Sequence, residues 1–543
     1  MKQFRKEISK FSSIREMLDQ SVEQYGDQIA FKYKPDRNTV KEATFREFYE
    51  ATEALGATLV EMGYGDTHIA CISENRYEWV VSYVTVLKTA GVWVPLDKEL
   101  PAENLAKLLE NSESRVLFTS KKFLEKLAPV MDQLSFIEKI ISFDKPEDGD
   151  KLYFWDLVEH GKELDKAPYD ALKSDPDELK MLLYTSGTTG VAKGVMLTEH
   201  NLVSSVYYGL TSSQIYDHGL SILPWNHAYA GVCDLLVGIK YGACNAINDQ
   251  LKAVVANLNL FKPEYIMVVP AVAELFYNSV RSKVRKEGKE KAFNALIKIS
   301  RGLRKVGIDA RRKLFSSVHN AFGGQLKRIV CGGAPIRPEI GKFFDDIGIT
   351  LSAGYGITEC SPLVCVNLEG ATNFRSAGKR LACIQWKIDQ PNEEGIGEIV
   401  VKGDVVMKGY YKDPERTAQV LKDGWFYTGD YGYLTPEDEL VITGRKKNII
   451  VLNNGKNIYP EEIEDTLMSI EAVTEVVVRG IKNEHGQEIA LSAEIYMAEP
   501  IPDDQLRTQV DAQLKDFPQY KQIKDIIIRS EPFPKTSTNK ILR

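Results

Sequence analysis

Long apolar runs are missing from this chain of 543 residues. Nowhere do about 18 or more apolar residues follow one another, which excludes a bilayer-spanning helix. The opening "MKQFRKEISKFSSIREML" carries positive charge with no apolar stretch behind it, so no signal peptide is predicted. Cysteine is sparse too. The seven residues at 71, 233, 244, 331, 360, 365 and 383 contain no CxxC pair, and the count is odd. That excludes the usual zinc and disulfide frameworks and suits free thiols in a reducing cytoplasm, at most peripheral to the inner membrane face. There is no excess of positive charge: the net value of −7 argues against nucleic acid as a partner. Internal repeats and low-complexity tracts are absent as well.

What remains is a globular composition, 43% hydrophobic and 27% charged, on a chain too long for one core. Residues 76–96, "RYEWVVSYVTVLKTAGVWVPL", read as an amphipathic helix, a Gly stop and a strand. "PAENLAKLLENSESRVLFTS" (101–120) repeats that order, as do "TEHNLVSSVYYGL" and "PEYIMVVP" further on. Such alternation predicts an α/β fold. After about residue 390 the texture shifts to short strands and turns. "YPEEIEDTLMSI" then opens a helix with Pro460 near its start and Ile463, Leu467 and Ile470 on one face. The expected organisation is a large N-terminal domain of layered α/β subdomains, 1–445, and a small mobile α+β domain, 446–543. Residues 281–328 stand apart, with fifteen Lys or Arg against three acidic residues. A solvated helical face and a contact with anionic lipid head groups or phosphate-bearing ligands both fit that charge.

The most informative stretch is 181–197, "MLLYTSGTTGVAKGVML". Five Ser, Thr and Gly residues in a row, followed by another Gly, have little to pack. They offer backbone N–H groups and hydroxyls, and Lys193 adds an ammonium; these are groups that hold phosphate. A Walker loop does not fit. Ala192 stands where that motif needs Gly, Gly194 replaces its Ser/Thr, and "GVML" reads as a second strand rather than a helix. A hairpin wrapping phosphate is the better picture.

"YTSGTTGVAKGV" resembles the phosphate-binding signature of the AMP-forming acyl-CoA synthetase superfamily. Its companions follow in that family's order: "LPWNHAYAG" (223–231), "CGGAP" (331–335), "GYGITE" (354–359), "GEIVVKG" (397–403), "WFYTGDYGYL" (425–434), "ITGRKKNII" (442–450) and "PKTSTNKILR" (534–543). The resemblance implies attack of a carboxylate on ATP to give acyl-AMP and pyrophosphate, then thiolysis by coenzyme A. It also implies residue roles. Thr185, Ser186, Gly187, Thr188, Thr189 and Lys193 would hold the β- and γ-phosphates, with Thr185 also near the metal. Gly332, Gly333, Ala334, Tyr355 and Gly356 would receive the adenine. Thr358 would contact the α-phosphate and Glu359 would bind Mg²⁺. Asp430 and Arg445 would hold the ribose, and Lys447 would be the hinge of the C-terminal domain. Asn448 departs from the Asp often found beside that hinge. Lys540 would be the catalytic lysine, bridging the carboxylate and the α-phosphate, and Gly455 would face the thiol channel. His227, Trp225 and Tyr229 would meet the acid, although a lone His and two aromatics also suit plain packing.

The helical insertion of 271–330 and "GRKKNIIVLNNGKNIYPEEIE" look most like the long-chain fatty acid–CoA ligase branch. Three alternatives stay open: a carrier-protein pantetheine as thiol, another carboxylic acid as substrate, and a non-catalytic nucleotide-binding protein at membrane surfaces. Chain length, saturation and oligomeric state are not specified by these residues.

Overall fold

The computed structural model describes residues 6–543 apart from 37, 147–150, 174, 186–191, 249, 371–372, 454–455 and 536–540. The chain divides into two units, Met1–Gln385 with Lys402–Phe426, and Trp386–Val401 with Tyr427–Arg543. The expected junction at 445/446 falls inside the second of them.

Two sheets build the first unit. The larger has nine strands, and its centre is six parallel strands. In spatial order these are Thr350–Gly356, Arg328–Cys331, Tyr265–Val268, His218–Ser221, Cys244–Ile247 and Ile29–Tyr33. The second sheet has eight strands around the parallel group Val92–Pro95, His68–Ile72, Val116–Thr119 and Lys139–Ser142. Its strands "VWVP" and "VLFT" are buried along their whole length, as parallel strands covered on both faces must be. At the other edge, Leu179–Thr185 and Lys193–Thr198 form the antiparallel hairpin expected from the Gly-rich stretch. Thr198 then caps the following helix, Glu199–Ser212, in a reciprocal capping box with Asn201.

The helix Tyr77–Lys88, expected to be amphipathic, is instead buried on every side: it packs between layers, and even its Glu78, Ser82 and Lys88 are covered. Its Trp79 touches Trp93 of the eight-stranded sheet, at 5.2 Å between ring centroids. It also touches Trp225, which follows a strand of the other sheet, at 5.4 Å. All seven cysteines are unpaired, and six are buried. Among the described residues, no helix is long and apolar enough to cross a membrane.

One buried charge in this core sets a pH dependence. Asp234 lies in the π-helical segment Tyr229–Leu236 and is 1% exposed. The Ser221 hydroxyl donates to one carboxylate oxygen, while the other has no hydrogen-bond partner among the described residues. Burial pushes its pKa up from 3.8 to about 6, against the lowering effect of Ser221. Below about pH 4 the folded and unfolded chains both hold the proton, and the site costs nothing. Above about pH 6 the folded chain carries a bare buried charge that the unfolded chain solvates. Asp234→Asn is therefore expected to raise stability by roughly 2–3 kcal/mol at pH 8 and by little at pH 4. Urea melts at the two pH values check this; an equal gain at both would refute it.

The basic insertion is helical, as expected: Pro270–Lys286, Glu290–Lys305, Arg311–Leu314 and Ser316–Ala321. Part of its charge is used internally. Arg301 pairs with Asp346, and Arg304 and Arg311 pair with Asp345 at 2.7 and 2.9 Å. All three anchor the insertion to the helix Pro338–Ile347.

The second unit has a core of its own. The sheet Glu475–Lys482, Glu488–Tyr496 and Ile523–Arg529 packs against helices Pro460–Leu467 and Asp503–Leu514. Ile463, Leu467 and Ile470 are all buried in that core, the face read from their spacing. Next to it, Trp425–Leu434 pairs antiparallel with Leu440–Arg445.

Candidate active site

In the nine-stranded sheet, His218–Ser221 sits between Cys244–Ile247 and Tyr265–Val268. The chain leaves that strand toward one side and returns on the other, so a crevice opens beyond the carboxyl ends of the strands. That is where open α/β sheets bind ligands. Several of the predicted residues collect along this edge. The segment holding Trp225, His227 and Tyr229 follows His218–Ser221. Gly332, Gly333 and Ala334 follow Arg328–Cys331, and Gly356, Thr358 and Glu359 follow Thr350–Gly356. Cys331 and Ala353 are level in register, which sets the glycine turn beside "GYGITE".

Tyr229 crosses the crevice: its hydroxyl donates to the Val330 carbonyl at 3.0 Å. Gly332 packs on that ring, and a Cβ there would come within 3.1 Å of it. Gly333 has φ of +88° and, like Ala334, is exposed. A flat ring can therefore approach this backbone as it could not approach a larger side chain. Tyr355 is only 7% exposed, so little of its ring is open. Trp225 is 2% exposed and belongs to the aromatic core with Trp79, whereas His227 is half-buried at the crevice edge.

At the hairpin, Thr185 and Lys193 are cross-strand partners. Ser186, Gly187, Thr188 and Thr189 lie outside the described residues. Lys193 places its ammonium 5.0 Å from the centre of the Tyr410 ring, a cation–π distance. The Tyr410 hydroxyl donates to Glu359 Oε1 at 2.8 Å. Tyr410 therefore joins the base of the hairpin to the carboxylate predicted to bind metal. Burial, and then the Glu359 charge, push its pKa well above the ordinary value, so it stays a neutral donor. The sequence reading did not single out Tyr410. Only the pairing of Gly409–Tyr410 with Lys193–Thr198 brings it there, and local spacing cannot reveal that contact.

Glu359 is 6% exposed in the short turn Thr358–Cys360. Among the described residues, no three His, Cys, Asp or Glu side chains converge into a metal cage. The arrangement fits a Mg²⁺ held by one carboxylate and by substrate phosphates, the usual mode for this ion.

In the second unit, Asp430 and Arg445 face each other across strands and pair at 2.7 Å. The Asp430 side chain is 4% exposed, against 45% for Arg445. Lys447 lies in the turn Lys446–Asn448. Its neighbours are tied down: Lys446 pairs with Glu398 at 2.5 Å, and the Asn448 amide donates to Glu461 at 2.6 Å. Gly455 and Lys540 lie outside the described residues. The chain on either side of Lys540 is anchored to this unit. Lys535 pairs with Glu475 at 2.6 Å, and Arg543 pairs with Glu464.

The family model described as "AMP-binding enzyme" matches residues 18–411. The chain belongs to that family. It is 30% identical over 490 residues to long-chain-fatty-acid–CoA ligase 5 of Rattus norvegicus, covering 82% of this chain and 70% of that protein. It is 28% identical over 559 residues to the chloroplastic long-chain-fatty-acid–[acyl-carrier-protein] ligase AEE15 of Arabidopsis thaliana, covering 87% and 75%. Among solved structures it is similar to the anthranilate CoA ligase AuaEII in complex with anthranoyl-AMP, with a TM-score of 0.79 and 20% identity, covering 98% and 96%. That likeness shows the fold: layered α/β sheets in a large N-terminal part, followed by a small C-terminal part.

Proposed function

We propose that this AMP-binding enzyme activates a long-chain fatty acid with ATP and passes the acyl group to coenzyme A. The observation that carries the reading is the Lys193–Tyr410–Glu359 chain at the sheet's carboxyl edge, which couples a phosphate hairpin to a buried carboxylate. The choice of acid and thiol rests on the long-chain relatives.

In the first half-reaction a carboxylate oxygen attacks the α-phosphorus of ATP. The bond to the bridging oxygen breaks, and pyrophosphate leaves with the electron pair. Thr185, Lys193 and the hairpin residues 186–189 hold the departing phosphates, while Thr358 orients the α-phosphate. Lys540 sits between the two approaching anions, whose mutual repulsion is the main electrostatic barrier. His227 faces the acid, and the Gly332–Ala334 turn with Tyr355 and Gly356 receives the adenine. Glu359, with Thr185 nearby, would hold a Mg²⁺, which would supply Lewis-acid neutralisation of phosphate charge. In the second half-reaction the thiol gives up its proton to solvent as its sulfur attacks the acyl carbon, and AMP leaves as the C–O bond breaks. Residues 446–543 turn about Lys447 between the two, withdrawing Lys540 and presenting Gly455 to the thiol. The unpaired cysteines suit a cytoplasmic setting.

Exchange of labelled pyrophosphate into ATP tests this. It should require an acid, and long-chain acids should outperform acetate and aryl acids. No exchange with any acid would return the non-catalytic reading. A second thiol has support from the Arabidopsis relative, so AMP release is to be compared with coenzyme A and with a holo carrier protein. Asp430 and Arg445 are assigned to the ribose. Asp430→Asn should weaken ATP binding roughly tenfold to a hundredfold, the worth of hydrogen bonds to a charged group. Calorimetric titration with ATP checks it, and an unchanged affinity would remove Asp430 from the site.

A further inference from the structure

The outer face of the helical insertion has no part in the chemistry above. Helix Glu290–Lys305 is held to the body by buried Phe293 and Ser300, and by Arg301 and Arg304 through Asp346 and Asp345. These four residues use up its inner side. On the outside, Lys291, Lys298 and Lys305 recur every seventh residue, close to two helical turns, so they form one stripe. Each is followed by an apolar residue, Ala292, Ile299 or Val306, and Ile308 lies just beyond the helix end. Ile299 is 53% exposed, Val306 71% and Ile308 53%. None of the three lysines has an ion-pair partner among the described residues.

Helix Pro270–Lys286 runs antiparallel alongside, since Arg281 reaches Asn294 while Arg285, one turn later, reaches back to Glu290. Its outward side carries Leu275, 61% exposed. It also carries a shallow groove lined by Asn278, Ser279, Ser282, Lys283, Lys286 and Glu287, the one anion there being paired with Lys289. On a chain of net charge −7, these two helices thus place Lys283, Lys286, Lys291, Lys298 and Lys305 in solvent beside exposed aliphatic side chains. Exposed apolar residues rimmed by one sign of charge mark a contact surface.

We propose that this hairpin face docks on an anionic lipid bilayer. The lysine ammoniums meet lipid phosphates while their stems lie along the interface. Leu275, Ile299, Val306 and Ile308 enter the boundary between headgroups and acyl chains. The division of labour between cations favours lipid over an acidic protein. Arg301 and Arg304, whose planar forks suit fixed geometry, are spent on fixed carboxylates of the fold. The outward stripe on this helix is lysine, a mobile point charge suited to a fluid layer of phosphates. Around Gly288, Gly302 and Gly307 there is open space where a side chain would stand.

The test is flotation of the full chain with vesicles of phosphatidylcholine alone, or with about one third phosphatidylglycerol, in the absence of substrates. The expected result is binding to the anionic vesicles only, released by high salt. Lys291→Gln, Lys298→Gln and Lys305→Gln together should lower partitioning roughly a hundredfold, about fivefold per lysine. Ile299→Ser with Val306→Ser should lower what binding survives at high salt. Thermal melts and acid-dependent pyrophosphate exchange should be unchanged in both variants, because these residues lie outside the nucleotide site. Equal binding to both vesicle types, or unchanged binding of the triple variant, would overturn the assignment. So would capture of a holo carrier protein that the triple variant loses, without vesicle binding; the face would then be a protein dock. Vesicle binding needs no substrate, so failure here leaves the pyrophosphate-exchange result standing, and the converse also holds.

Discussion

Lys540→Ala is expected to slow acyl-AMP formation by about a hundredfold to a thousandfold, the loss typical when one preorganised charge-stabilising group is removed. Thiolysis of supplied acyl-AMP should keep most of its rate. The asymmetry follows from the electrostatics of the two half-reactions. In the first, a carboxylate approaches a phosphate that is already negative, so the barrier contains direct repulsion between reactants. In the second, a thiol attacks a mixed anhydride whose acyl carbon carries no net charge, and a cation between anions has little to do. A folding defect is not expected to mimic this result. The second unit has its own core, and its C-terminal segment is held through Glu475 on one side of residues 536–540 and Glu464 on the other. Both contacts survive truncation of a different side chain. Single-turnover measurements of each half-reaction decide the matter: equal losses in both would contradict a lysine that serves only the first.

The parts of the fold that were readable from sequence are those set by local chemistry. Alternating helix and strand signals located the layers around Tyr77–Lys88 and Val116–Thr119, but the scattered polar residues of the helix read as one wet face, and only the packing shows that every side is covered. The hairpin was legible because two strands flank a segment with almost nothing to pack. What local patterns could not supply is long-range pairing. Tyr410 sits more than two hundred residues from Lys193, and nothing in "KGYYKDPERT" points back to it. The basic insertion fails for the same reason. Composition counts its charges equally, whereas the structure commits Arg301, Arg304 and Arg311 to Asp345 and Asp346 and leaves Lys291, Lys298 and Lys305 outward. Trp225 shows the opposite limit. A functional motif and a packed core use the same aromatic residue, and only its contact with Trp79 and its 2% exposure place it in the core.

Glu359→Gln should reduce acid-dependent pyrophosphate exchange by at least a hundredfold while changing stability by less than about 1 kcal/mol. The contrast is the diagnostic feature. Glutamine keeps the size of the side chain, and its amide oxygen can still accept from the Tyr410 hydroxyl, so the local packing of the Thr358–Cys360 turn is retained. What disappears is one negative charge, held almost out of solvent next to a neutral tyrosine that cannot replace it. Tyr410→Phe is the complementary variant. It leaves the charge but removes the donor that fixes its direction, and it keeps the ring face under Lys193. That change should cost roughly tenfold in exchange, in line with one hydrogen bond to a charged group. If Glu359 served only to anchor Tyr410, the two variants would lose activity equally, and the loss would track their melting temperatures. A much larger loss in Glu359→Gln, at unchanged melting temperature, assigns the carboxylate to the chemistry itself.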